Sequence, residues 1–353
     1  VRESSASRGA RVVHIINALP PIGGAERLVV DLAKCSQDRP VPVITWQSTD
    51  NSLVELEGGD SVDLIPLRPF TFHALLRARR AIAQADVVHV HLFPTQYFAP
   101  LLCKPTVFTE HNTWNRRRRY PWLKPVERLC YRMITKTVAI SDETAAALVA
   151  WLGREPPRLE IIPNGVRLER FPLVERTPPT ERFTIGMAAR MTEAKDHATL
   201  IAAMERIPDR CTLLLAGDGP LRPDLERQVA KLGLEERVRF LGVVHDMPRY
   251  YAEIDVYVQS SWHDGFSLVA VEAMACGLPT LGSNIPGLAQ TIGTEEALFT
   301  PGDADQLAAR LTALISDPVL YSKLARHAVA QARRFDVRET AARYARAYAE
   351  IAR

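Results

Sequence analysis

HDGFSLVAVEAMACGLPTLGSNIPG, residues 263–287, reads as a turn, an apolar helix and a short strand in succession. Asp264 and Glu272 stand across the turn Gly265-Phe266-Ser267 and the helix start at Leu268. Ser267, Leu268 and Val269 present backbone N–H groups there. Carboxylates so spaced suit hydroxyl acceptors better than an acid/base pair. Glu272, one turn into a helix of small and apolar residues, needs a ligand or an internal partner to offset its burial. Upstream, the strand RFTIGMAA (182–189) runs into Arg190 and Lys195. A guanidinium grips two phosphate oxygens, and an ammonium acts as a movable point charge. Cations for a diphosphate, carboxylates for hydroxyls and a helix N-terminus facing negative charge compose a site for a sugar on a nucleoside diphosphate.

Outward from this block the chain alternates apolar strands with helical patterns. The second half runs FTIGMAA (183–189), a helix at 196–206, CTLLLAG (211–217), a helix at 221–232, VRFLG (238–242), DVYVQ (255–259), the helix 268–276 and PTLGS (279–283). Helices at 303–316, 318–334 and 336–352 close it. The first half does the same. RVVHIIN (11–17), VPVITW (41–46), VDLIPL (62–67), VVHVH (87–91), TVFTE (106–110) and TVAI (137–140) are strands, with helices at 25–35, 72–85, 122–133 and 142–152. Such apolar runs separated by helices predict parallel sheets covered on both faces. The Pro-rich stretch 167–182 between the halves reads as a linker. Two doubly wound α/β domains place ligands at the carboxyl ends of their strands.

A chain of 353 residues, 47% hydrophobic and 24% charged, has room for two cores and the composition of a soluble globular protein. No apolar run reaches the roughly 18 residues of a membrane span. The polar start VRESSASRGA lacks the apolar core of a signal peptide and reads as a disordered lead-in. Five scattered cysteines without metal or redox spacing point to a reducing cytoplasm. Residues 1–165 carry 21 Lys/Arg against 16 Asp/Glu, so +5, and the remainder 23 against 25, so −2. The excess concentrates between Lys104 and Lys136, which disfavours a nucleic-acid role for the whole chain. There, NRRRRYPWLKPVERLCYRMI (115–134) interleaves Arg116, Arg117, Arg118 and Arg119 with Tyr120, Trp122 and Leu123. A solvated charge run is the plain reading; the aromatics and the amphipathic helix favour an anionic membrane surface or a lipid-linked acceptor.

Gly23-Gly24 sits between a strand and a helix, where the backbone can approach a phosphate or sugar, or simply turn. It is not a dinucleotide fingerprint, so a dehydrogenase is disfavoured. His111 ends the strand TVFTE, a place for a residue that bonds a substrate hydroxyl or for a structural histidine. His89 and His91, alternating on one strand, read as structural. Asp303 and Asp305 open a helix and read as capping, so no metal is assigned.

Taken together, GGAER (23–27), TEHN (109–112), VAIS (138–141), IIPNGV (161–166), GMAARMTEAKD (186–196), LAGDGP (215–220), RFLG (239–242, ending at Gly242) and the 263–287 block resemble the retaining glycosyltransferases of family 4. The resemblance spans nearly the whole chain. It implies the GT-B fold: two Rossmann-like doubly wound parallel-sheet domains facing across a cleft. Residues 1–165 would form the acceptor side and 166–335 the nucleotide-sugar side, with the last helix, 336–353, packing back on the first domain. Arg190 and Lys195 match the pair that binds the donor diphosphate, and Glu272 matches the glutamate that holds the ribose. Asp264 stands where the family has the first glutamate of an E-x7-E motif, which contacts the transferred sugar; the charge is kept and the reach shortened by one methylene. His111 matches a histidine beside the reacting sugar. Gly23 and Gly24 match the loop near the donor phosphates, and Gly265, Phe266, Ser267 and Leu268 the turn that closes on the diphosphate.

The implied activity is retaining transfer of a hexose-type sugar, from a UDP-sugar before a GDP-sugar, with no metal or cofactor. The implied acceptor is a glycan or a polyprenyl-diphosphate-linked glycan of a bacterial surface polysaccharide, at the inner face of the cytoplasmic membrane. Two other readings use the same grip on the donor. A GT-B-fold epimerase of nucleotide sugars needs no acceptor, and a nucleotide-sugar-binding protein turns nothing over.

Overall fold

The computed structural model describes residues 9–352 apart from 21–22, 37–39, 48–49, 114–115, 178 and 180. All but the last two residues of the polar start therefore lie outside the described residues. The chain forms two compact units, Val1–Gly165 with Val337–Arg353, and Val166–Asp336.

The first unit is built on β1 (Val12–Ile16), β2 (Val41–Thr45), β3 (Val62–Pro66), β4 (Val87–His91), β5 (Thr106–Glu110), β6 (Lys136–Ala139) and β7 (Glu160–Ile161). They pair in the order β3-β2-β1-β4-β5-β6-β7, every described pair parallel. The order reverses direction beside β1, as in a doubly wound sheet. Helices α1 (Gly24–Cys35), α2 (Phe72–Gln84), α3 (Lys124–Met133) and α4 (Asp142–Leu152) make the crossovers. Strand side chains alternate between faces. Val13, Ile15, Val88, Val90 and Phe108 face α2, α3 and α4, packing on Ala78, Tyr131, Leu148 and Leu152. Val87, Val107 and Val138 face the other way, onto Leu28 and Leu32 of α1 and onto Tyr344, Ala347, Tyr348 and Ile351 of the chain's last helix, Val337–Ile351. This stripe at helix spacing explains why a helix so far along the chain belongs to the first unit.

The second unit contains β8 (Phe183–Ala188), β9 (Cys211–Ala216), β10 (Val238–Gly242), β11 (Val256–Gln259), β12 (Thr280–Ser283) and β13 (Leu298–Phe299), in the order β10-β9-β8-β11-β12-β13, again parallel. Its helices are α5 (His197–Met204), α6 (Arg222–Lys231), α7 (Met247–Ala252), α8 (Leu268–Ala275), α9 (Pro286–Ile292), α10 (Ala304–Ser316) and α11 (Pro318–Ala332). Asp303 caps α10, its Oδ1 accepting from the Gln306 N–H at 2.8 Å.

The stretch 167–182 is not a free linker. Phe171 is buried in the core with Tyr251, and Arg176 donates to the carbonyls of Ile254 and Tyr251, at 2.5 and 2.7 Å. One apolar anchor and one arginine fasten a Pro-rich segment whose composition alone suggests a spacer. The short elements α7, α9 and β13 carry too little periodicity to stand out in the sequence.

Candidate functional site

In a parallel sheet every strand points the same way, so the loops after β8, β9, β10, β11 and β12 gather at one edge of the second unit. Arg190 and Lys195 follow β8, Gly217 follows β9, Gly242 ends β10, Asp264 follows β11, and Gly287 follows β12. Backbone bonds stitch these loops together. The Met191 N–H donates to Asp218 O at 3.0 Å, Gly217 N–H to Gly242 O at 2.7 Å, and Trp262 N–H to Ala194 O at 2.9 Å. Gly217 has φ of +120°, and a Cβ there would lie 2.1 Å from Ala189 O. At Gly287 a Cβ would lie 2.0 Å from Asp264 O, so only glycine lets the 264–265 turn sit this close.

Two of the candidate side chains meet directly: Lys195 Nζ donates to Asp264 Oδ2 in a partly buried ion pair. Asp264 is buried, and Arg190, in the same loop as Lys195, is exposed. Glu272 does not join them. It is buried within α8, and its Oε2 accepts from the Tyr251 hydroxyl at 2.9 Å. Burial first, and the neighbouring Glu272 charge second, hold the Tyr251 phenol well above its usual range, so it stays a donor. Tyr251 is the internal partner the buried carboxylate requires. It comes from α7, a helix that sequence reading missed; the pair Tyr250-Tyr251 is its one sequence signal. Leu268 opens α8, with Ser267 before it; the Ser267 hydroxyl is buried without a hydrogen-bond partner among the described residues. Gly265 and Phe266 form the half-buried turn, with Phe266 edge-on to Phe335 at 5.1 Å between ring centroids. The arrangement offers two cations, two carboxylates, an orphan hydroxyl and a helix N-terminus.

In the first unit, Gly23 and Gly24 stand at the start of α1. A Cβ on Gly23 would collide with the Glu26 carboxylate, whose pKa burial raises. His111 follows β5, and burial pushes its pKa down to about 3. It is therefore a neutral imidazole at neutral pH, and neither ring nitrogen has a partner among the described residues. Its ring lies 5.8 Å from that of His91. His14, His89 and His91 bring ring nitrogens within 4.8 Å of one another, a clustering that sequence spacing does not reveal. His89 has both nitrogens engaged, with the Tyr348 hydroxyl and Thr109 Oγ1, each at 2.7 Å. His14 Nδ1 and His91 Nε2 share a hydrogen bond at 3.0 Å. These bonds make the group a packed, neutral part of the core.

The run Arg116–Arg119 departs from the expectation of a shared acceptor or membrane grip. It forms a 3-10 turn, and Arg117 points inward. Its Nη2 lies 2.5 Å from Glu110 Oε2, and its Nε lies 3.0 Å from Glu127 Oε1. Glu127 also accepts from the Tyr97 hydroxyl at 2.9 Å and from Trp151 Nε1 at 2.5 Å. Two buried carboxylates draw Arg117 in, because an ion pair is the cheapest state for charges already out of water. Arg118 donates to the Thr113 carbonyl, while Arg119 is exposed. Trp122 is exposed at 70%.

Similarity to known proteins agrees with this geometry. A family model described as Glycosyltransferase Family 4 matches residues 22–170, and one described as Glycosyl transferases group 1 matches 182–317. The chain is 31% identical over 251 residues to the 2-deoxystreptamine glucosyltransferase of Streptomyces kanamyceticus, covering 66% of this chain and, just under two thirds, 65% of that relative. It is 28% identical to the lipopolysaccharide core biosynthesis glycosyltransferase LpsD of Rhizobium meliloti, covering 86% of this chain and 88% of that one. Among solved structures, Anabaena HepE in complex with UDP and glucose shares the fold with a TM-score of 0.83 at 22% identity, over 97% of this chain and all of that one. With one family match on each unit and a GT-B fold throughout, the chain belongs to the family 4, group 1 glycosyltransferases.

Proposed function

We propose that the protein transfers a hexose-type sugar, with retention at the anomeric carbon, from a nucleoside-diphosphate sugar to a glycan or polyprenyl-diphosphate-linked acceptor in bacterial surface polysaccharide synthesis. The observation that carries this reading is the Lys195–Asp264 pair at the carboxyl edge of the second unit, beside Arg190. Arg190 and Lys195 stabilise the charge that develops on the departing diphosphate. A departing phosphate oxygen accepts the acceptor's proton, so no base on the opposite face and no metal is needed. Asp264 orients the Lys195 ammonium and bonds sugar hydroxyls. Glu272, braced by Tyr251, holds the ribose. The orphan Ser267 hydroxyl and the N–H groups at the start of α8 complete the phosphate contacts. His111, a neutral imidazole at neutral pH, acts as a hydrogen-bonding group rather than as a cation. UDP-sugars come before GDP-sugars in this reading.

The glycan acceptor is supported by relatives such as LpsD, whose name places it in lipopolysaccharide core synthesis. A lipid-linked acceptor puts the reaction at the inner face of the cytoplasmic membrane. No helix among the described residues is long and apolar enough to cross that membrane. The test is incubation of UDP- and GDP-sugars with lipid-linked glycan in EDTA, with the anomeric configuration of the product read by NMR. A transferred sugar of retained configuration supports the reading. An altered nucleotide sugar formed from donor alone favours the epimerase, and activity that EDTA abolishes and magnesium restores overturns the metal-free mechanism.

A further inference from the structure

Both ring nitrogens of His111 are buried, and neither has a hydrogen-bond partner among the described residues. A functional histidine is ordinarily aimed by the bond that its second nitrogen makes. Here no such bond holds the ring, so its aim depends on the backbone on either side. A single carboxylate brackets that backbone. Glu110 ends β5 and is buried. Its Oε1 accepts from the Asn112 N–H at 3.4 Å, so it grips the chain on the far side of His111. Its Oε2 meets Arg117 Nη2 at 2.5 Å and accepts from the Tyr131 hydroxyl at 3.4 Å. Side chains alternate along β5. Phe108 and Glu110 face α3, whereas Thr109 faces the last helix, its hydroxyl 3.0 Å from that of Tyr344. Glu110 thus fixes the strand end from one face, and the His111 ring lies on the other, beside His91.

A network of charges stands behind this bracket. Arg117 pairs with Glu127 as well, and Glu127 is held in turn by Tyr97 and Trp151. Arg118 Nη2 lies 3.9 Å from Glu110 Oε2, so two guanidinium groups balance two carboxylates. The network ties the turn after β4 to β5, α3 and α4. Stability alone does not call for it, because apolar side chains packed on Phe108 and Tyr131 would spare the desolvation of every charge. What a carboxylate at 110 adds is a bond to the backbone just after His111.

We propose that Glu110 is a positioning residue for transfer: it brackets His111, and Arg117, Glu127 and Trp151 hold it in place. The inference rests on the role given to His111 above. It goes beyond that role by naming what aims an imidazole that has no partner of its own.

The test is a double-mutant cycle between Glu110→Gln and His111→Ala in the full chain. Glutamine keeps the shape of Glu110 and leaves Arg117 paired with Glu127, but removes the charge that Arg117 grips. Glu110→Gln is expected to lower kcat roughly tenfold. Donor KM and the rise in melting temperature with a UDP-sugar are expected to stay near wild type. Glu110→Ala, which cannot accept from Asn112, is expected to lose more. In the His111→Ala background Glu110→Gln is expected to cost nothing further. Trp151→Phe loosens the far end of the network and is expected to lower kcat about threefold, a loss that also disappears without His111. It keeps the check in hand should the Glu110 variants fail to fold. The ring resonances of His111, identified by their loss in His111→Ala, are expected to move in Glu110→Gln or Trp151→Phe, a readout that needs no turnover. Folded variants as fast as wild type, equal losses with and without His111, or unmoved ring resonances would overturn the bracket and leave the transfer reading standing. A His111→Ala protein as fast as wild type would overturn the bracket together with the role of His111.

Discussion

Lys195 Nζ bonds Asp264 Oδ2 across 69 positions of sequence, joining the loop after β8 to the turn before α8. The acid that stands where the family resemblance calls for glutamate is thus the partner of the cation proposed to bind the donor phosphate. A shorter carboxylate keeps the ammonium close to the loop, and an ammonium with three N–H groups can serve a carboxylate and a phosphate together.

The pair leads to a double-mutant cycle. Lys195→Ala is expected to lower kcat/KM by about two orders of magnitude, roughly 3 kcal/mol of transition-state stabilisation. Asp264→Asn is expected to lower it less, and the double variant little further than Lys195→Ala alone, with a coupling of about 1–3 kcal/mol. Steady-state kinetics with the best donor decide it. Strictly additive losses would mean that the pair does not act as a unit.

Tyr251→Phe removes one hydroxyl from contact with Glu272 and leaves a buried carboxylate short of a donor. An expected loss of about 1–3 kcal/mol in unfolding free energy follows from that lost hydrogen bond. Donor KM is expected to rise as the carboxylate proposed to hold the ribose loosens. Urea unfolding together with donor titration checks both, and a Tyr251→Phe protein as stable as wild type would remove the phenol's role.

Much of this was legible in the residues. The apolar runs from VVHVH to CTLLLAG announced two parallel sheets, because strands buried on both faces leave no polar alternation. Arg190, Lys195 and Asp264 were visible as charges beside turns at strand ends, and Glu272 as a lone carboxylate in an apolar helix. What the sequence hid was partnership. Nothing local to α8 names Tyr251, and nothing in the text of Arg116–Arg119 shows that Arg117 points inward. That choice is made by Glu110 and Glu127, which the fold brings to one spot.

Arg117→Ala is expected to destabilise the protein by about 3–5 kcal/mol, because it strands Glu110 and Glu127 in the interior. Arg132→Ser, on the exposed side of α3, is expected to change stability by no more than about 0.5 kcal/mol. Denaturant unfolding of the two variants makes the contrast. Equal, small effects would return Arg117 to the surface.

The buried histidines give a pH dependence of definite sign. Burial lowers His14 and His111 from 6.5 to about 3, and His89 and His91 well below 6.5. The unfolded chain binds protons at these sites as pH drops below 6.5, while the folded chain refuses them until about 3. Their contribution is therefore complete above 6.5 and declines as pH falls through that window, by up to about 1.4 kcal/mol per pH unit for each histidine. Urea midpoints at neutral pH and in mild acid are expected to fall together with proton uptake on unfolding. Midpoints that do not move would contradict neutral burial.

Binding of a nucleotide sugar by the second unit is tested most directly by the melting temperature of wild type and of Arg190→Ala across UDP-, GDP- and ADP-sugars. Ligand that binds only the folded state at about 100 times its Kd stabilises by about 2.7 kcal/mol, enough for a shift of several degrees. The expected result is a concentration-dependent rise for wild type, largest with a UDP-sugar, and little or none for an otherwise equally stable Arg190→Ala. A rise of the same size in both proteins, or none in wild type with any donor, would contradict the donor site placed at Arg190, Lys195 and Asp264.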